Sequence, residues 1–178
     1  MLKFIAYAAV VVVALLAALL IVAATRPDSF RVQRSLTIQA PPEKIFPLID
    51  DLKGFASWSP YEKKDPAMKR SFAGPAAGPG ATYAWDGNKD IGQGSLAITE
   101  SQSPSRVLMR LDFLRPFEAH NFAEFTLVPR GSATEVTWAM YGPSPYISKV
   151  MGLVFDFDTM VGKDFEAGLA DLKAAAEK

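Results

Sequence analysis

Between residues 68 and 141, short runs of alternating apolar and polar residues are cut at close intervals by turn-forming residues. The runs fall at 68–73, 81–86, 93–101, 106–114, 121–130 and 133–141. Between them lie the Gly/Pro-rich stretch 74–80, Asp86-Gly87-Asn88, Ser103-Pro104 and Pro129-Arg130-Gly131-Ser132. A period of two sends alternate side chains to opposite faces of a strand, and turns this short join antiparallel neighbours. Six strands of an antiparallel meander are therefore predicted. A seventh precedes them, because Phe30, Val32, Leu36 and Ile38 share one parity before Ala40-Pro41-Pro42-Glu43. Proline is tolerated in a first helical turn, so a helix starts there. Ile45, Phe46, Leu48, Ile49 and Leu52 supply its apolar face, and residues 54–60 close this helical region. Beyond Tyr141, apolar residues recur every three or four positions from Ile147 through Val154, Val161 and Phe165 to Leu172. That spacing predicts one helix of about 30 residues, roughly 45 Å long, in which Gly152, Gly162 and Gly168 mark bends or close packing.

Composition narrows the chemistry. The chain has no cysteine and one histidine, His120, which removes disulfides, thiol catalysis, Cys-ligated zinc and any multi-histidine metal site. No metal or cofactor is expected. Setting aside Lys3 and Arg26, the body carries 17 basic against 19 acidic residues, a formal charge of −2, which offers nucleic acid no general attraction. The glycines at 74–80 lack the Lys-Ser/Thr of a phosphate loop, and Gly92 and Gly94 open no helix after a parallel strand.

The amino terminus departs from this pattern. Phe4 to Ala24 is an uncharged apolar run between Lys3 and Arg26, long enough in helical form to cross a hydrocarbon core of about 30 Å. Residues 1–26 are therefore expected to be a single transmembrane anchor, contacting the membrane, and 27–178 one globular domain. A signal peptide ending near Val22-Ala23-Ala24 is the alternative. The short tail before the run sets the expectation, a domain on the exported side of the membrane, with the cytoplasmic face as the alternative. Arg26, Arg31 and Arg34 after it favour the cytoplasmic face instead.

One strand, a short helical region, six strands and a long terminal helix make an α+β chain. In this order it resembles the helix-grip fold of the START-like (SRPBCC) superfamily, in its polyketide cyclase/dehydrase-like branch. The resemblance spans about residues 30–176. It rests on Ile38-Gln-Ala-Pro-Pro-Glu-Lys-Ile-Phe46, Trp58-Ser59-Pro60, Gly92-Gln-Gly94, Val136-Thr-Trp138 and the terminal 164–173 segment. It implies a curved seven-stranded antiparallel sheet around the long carboxy-terminal helix. It also implies a cavity between them for a small hydrophobic, lipid- or polyketide-like ligand, without fixing a reaction.

Strand parity selects the side chains that would line such a cavity. Tyr83, Trp85, Met109, Phe113, Asn121, Trp138 and Met140 share the inward parity, and Phe155 and Met160 on the terminal helix would close the space. Asn121 is the one strongly polar member of an aromatic and aliphatic wall, which suits an apolar ligand oriented by few hydrogen bonds. For any one aromatic, plain core packing is the competing reading. No carboxylate falls on the inward parity of the strands, so no catalytic residue is assigned. Asp156 and Asp158 are read as solvated breaks in the helix, and His120 as a rim histidine without an orienting partner. Ligand binding without catalysis is the leading expectation. A cyclase/dehydratase-type enzyme using His120, Asn121 or a tyrosine is the alternative, as is an interaction or stress-response module with a self-filled interior. Oligomeric state is not legible.

Overall fold

The computed structural model describes residues 2–178, with the backbone alone for 2, 5, 6 and 8. In chain order the elements are α1 (Leu2–Ala24), β1 (Ser29–Ile38), α2 (Pro42–Ile45), α3 (Pro47–Asp50), α4 (Leu52–Trp58) and α5 (Pro60–Lys64). Then come β2 (Lys69–Ala73), β3 (Thr82–Asp86), β4 (Gln93–Gln102), β5 (Arg106–Arg115), β6 (Ala119–Arg130) and β7 (Ala133–Pro143). Two helices end the chain, α6 (Tyr146–Met151) and α7 (Phe157–Ala176).

The seven strands form one sheet in the order β1-β7-β6-β5-β4-β3-β2, with β2 to β7 an antiparallel meander. Two register shifts between β4 and β5, at Gln93/Gly94 and at Ile98/Glu100, bend the sheet, since a bulge raises local twist. All seven expected strands are present, within a few residues of their predicted ends. The α+β, helix-grip architecture follows from this sheet and its carboxy-terminal helix.

Two helical expectations change. The region after β1 is four short helices, because Pro47 and Pro60 each begin a new one and Asp51 caps α4 by accepting from the Lys53 N–H at 2.8 Å. Residues 54–58 therefore lie within a helix. The single terminal helix is two. Gly152 ends α6, its N–H bonding the Ser148 carbonyl at 2.8 Å, and α7 restarts at Phe157 with Asp158 in its first turn. Gly162 and Gly168 lie in α7 as points of close packing.

The expected anchor, residues 1–26, lies partly outside the described residues. Among the described residues, no helix is long and apolar enough to cross a membrane. This overturns the expected transmembrane helix and the single-pass membrane localisation, exported or cytoplasmic.

The chain divides into two compact units, Met1–Phe30 with Pro143–Phe157, and Arg31–Gly142 with Asp158–Lys178. Within the first, the Tyr146 hydroxyl donates to the Leu20 carbonyl at 2.8 Å, Lys149 pairs with Asp28 at 2.5 Å, and Phe30 meets Phe157 edge-on at 5.5 Å. The second holds the main core, in which Ile38, Ile49, Ile98, Met109, Phe125 and Phe165 are almost wholly buried between sheet, short helices and α7.

Candidate functional site

Register arranges the inward side chains in rows across the sheet. Trp85 lies opposite Gly94, and Gly94 opposite Phe113. The next row runs Tyr83, Leu96, Leu111, Asn121. Below it come Ile98, Met109, Ala123 and Met140, and then Val107, Phe125 and Trp138.

The last row is filled by the protein's own rings. Trp138 stacks on Phe165 of α7 at 4.2 Å and on Phe125 at 5.0 Å, while Phe55 and Trp58 meet it edge-on at 6.1 and 5.7 Å. α7 comes this close because Gly168 has no side chain: a Cβ there would stand 2.7 Å from the Trp138 ring and 2.9 Å from Pro60. The Trp58 N–H donates to the Leu48 carbonyl at 2.7 Å, whereas among the described residues the buried Trp138 N–H has no acceptor. Met109 and Met140 are packed and buried beside this cluster.

The opposite end is looser. Trp85 and Phe113 are half-buried and meet edge-on at 6.0 Å, and Gly94 lets the Trp85 ring lie flat across the strand. Tyr83 is buried, stacks against Phe72 at 5.0 Å and donates its hydroxyl proton to Glu62, whose other oxygen takes Arg70 at 2.5 Å. Burial, then the Glu62 carboxylate, push the Tyr83 phenol well above its ordinary pKa. Asn121 is only 6% exposed, and its amide lies across Gly142, with Oδ1 2.2 Å from where a Cβ would stand. Among the described residues that amide has no hydrogen-bond partner, and its polar atoms are not sealed from solvent as the Trp138 N–H is. Of the other predicted wall residues, Phe155 and Met160 are exposed, at 61% and 59%. The terminal helix breaks before Phe157, and the buried stripe of α7 runs through Val161, Phe165, Leu169 and Leu172.

Charge is nearly absent from the inner face. The inward positions of β3 to β7 carry no Asp, Glu, Lys, Arg or His. On β1, Arg34 has the inward parity, but it is committed to α7. It meets Asp158 at 2.9 Å and Glu166 at 2.9 Å, lying over Gly162, where a Cβ would clash at 1.9 Å. Asp158 is thus a partner of Arg34 and not a solvated break. The shared parity of Phe30, Val32, Leu36 and Ile38 is the one signal in the sequence that marks position 34 as inward. His120 points to the outer face and pairs through Nδ1 with Asp112 at 2.8 Å, so it has an orienting partner. Elsewhere, a groove of about 230 Å³ lies between the start of α4 and the β2–β3 hairpin, lined by Lys53, Phe72 and Gly74 among others.

Comparison with known proteins decides the family. Residues 29–177 match the family described as polyketide cyclase/dehydrase and lipid transport. The chain belongs to this family. Membership in the START-like superfamily, expected from the strand–helix order, is thereby established. Solved structures agree on the fold. Zhui aromatase/cyclase from a Streptomyces species superposes with a TM-score of 0.59 at 14% identity, covering 84% of this chain and 94% of its own. Aha1 from Colwellia psychrerythraea gives 0.59 at 19% identity, covering 83% and 96%. A major latex-like protein from Panax ginseng gives 0.58 at 11%, covering 83% and 97%. No curated protein matches the chain.

Proposed function

We propose that the domain binds a small apolar molecule on the inner face of the sheet, at the end bounded by Trp85, Phe113 and Asn121, without catalysing a reaction. The carrying observation is the Asn121 amide, without a partner among the described residues, on a residue only 6% exposed in an otherwise apolar wall. One oriented polar group in an aromatic wall is how apolar ligands are held in register. The half-buried Trp85 and Phe113 rings supply the adjoining surface, and the filled Trp138 row supplies a rigid floor. The family's description, cyclisation, dehydration and lipid transport, supports a polyketide- or lipid-like guest.

Catalysis would need an acid or base within hydrogen-bond reach of that guest. The inward strand positions offer neither carboxylate nor imidazole, the Tyr83 proton is engaged by Glu62, and His120 faces outward. Mass spectrometry of an organic extract from the purified full-length chain tests the reading. One defined compound, near one per chain, is expected, and much less from an Asn121→Leu variant of unchanged melting temperature. An empty extract, with no thermal shift on adding a panel of apolar probes, would mean that the interior is filled by its own side chains.

A further inference from the structure

The charge pattern of the inner face constrains the ligand more narrowly than apolarity does, provided that the proposed binding at Trp85, Phe113 and Asn121 holds. A carboxylate or phosphate taken into an apolar wall needs a cation or several donors, because an ion buried without a partner costs far more than a neutral polar group. Facing inward from β3 to β7 there is no cation. The one inward cation of β1, Arg34, already spends its guanidinium on Asp158, Glu166 and the Gln33 carbonyl. On α7, the buried stripe is Val161, Gly162, Phe165, Gly168, Leu169 and Leu172, again uncharged. At the loose end the Tyr83 hydroxyl is given to Glu62 and Glu62 is held by Arg70, which leaves the Asn121 amide as the uncommitted polar group, able to donate and accept but holding no charge.

We infer that the site selects an uncharged, ring-bearing molecule with a carbonyl or hydroxyl oxygen, and discriminates against fatty or aromatic carboxylates. The ring is held against Trp85 and Phe113, whose edge-to-face arrangement presents both a π-face and a ring edge. The oxygen pairs with Asn121. An anion there gains one amide donor and loses its hydration, so it is excluded by desolvation and not by shape.

Three probes that share one ring system separate these terms: 2-acetylnaphthalene, 2-naphthoate and 2-ethylnaphthalene, titrated calorimetrically into the full-length chain at pH 7. The ketone is expected to bind at least about tenfold more tightly than the carboxylate. Asn121→Leu is expected to weaken the ketone about tenfold, the value of one net hydrogen bond, and to leave the hydrocarbon unchanged. If Asn121→Leu does not fold, Asn121→Ser serves, keeping a donor too short to reach the same oxygen. Naphthoate binding as well as the ketone, and losing affinity in Arg34→Gln, would mean that Arg34 opens to anions, which overturns this inference while leaving the binding site intact. Ketone and hydrocarbon binding equally, with no effect of Asn121 substitution, would also overturn it and spare the site. Failure of all three probes to bind would remove the binding reading itself.

Discussion

Two tryptophans of similar burial differ in a single hydrogen bond. Trp58 gives its N–H to a carbonyl, and Trp138, stacked between Phe125 and Phe165, gives its N–H to no acceptor among the described residues. Trp138→Ala should cost about 3–5 kcal/mol in urea unfolding, the penalty of emptying a packed aromatic site. Trp138→Phe keeps a ring in the stack and removes the orphan donor, a relief worth about 1–3 kcal/mol, so its cost should be under half that of alanine. Equal costs for both variants would show that the indole N–H has a partner in solution. On the outer face, the hydrogen bond to Asp112, assisted by its charge and by Glu118, raises the His120 pKa above its ordinary 6.5. A raised folded value makes the pair's stabilisation complete below about 6.5 and lets it fade as pH climbs through the folded pKa. As His120 is the chain's one histidine, its imidazole resonance is unambiguous in proton NMR. Its midpoint should lie above 6.5 and fall in Asp112→Asn.

At the scale of elements, strands were more legible than helices. Alternation and turn residues fix a strand's parity locally, which is why the inward rows could be read before any pairing was known. Helix ends depend on weaker signals: Pro47, Pro60 and Gly152 each broke what apolar spacing joined. The site shows the same division. Parity found Trp85, Phe113 and Asn121, but no local rule reveals that Arg34 reaches Asp158 and Glu166, more than 120 positions away. The glycines of α7 record that closeness. Gly168→Ala should destabilise despite alanine's advantage of about 1 kcal/mol in a helix, because the Trp138 ring and Pro60 are rigid neighbours and overpacking costs about 1–3 kcal/mol. Gly162→Ala meets the end of a flexible arginine instead and should cost less, with the loss appearing as faster amide exchange in the first turns of α7. A larger penalty at Gly162 than at Gly168 would show that the Arg34 clamp, and not ring packing, holds this helix.

At the scale of the molecule, β1, which begins at Ser29, is the neighbour of β7, which ends at Pro143, and α7 completes the core from the last 22 residues. Pairings of such sequence separation must close long loops before they are rewarded, and they slow folding. During synthesis, the meander emerges strand by strand while its inner face has nothing to cover it. Phe125 and Trp138 are made well before Phe165, their lid. A ribosome-tethered chain ending at Gly142 should therefore be cut readily by protease, and resistance should appear only once Lys178 has cleared the exit tunnel. Protection of the shorter chain would mean that the sheet folds without its helix. In the cell, the interval between Trp138 and Leu172 leaving the ribosome is when this chain most needs a chaperone.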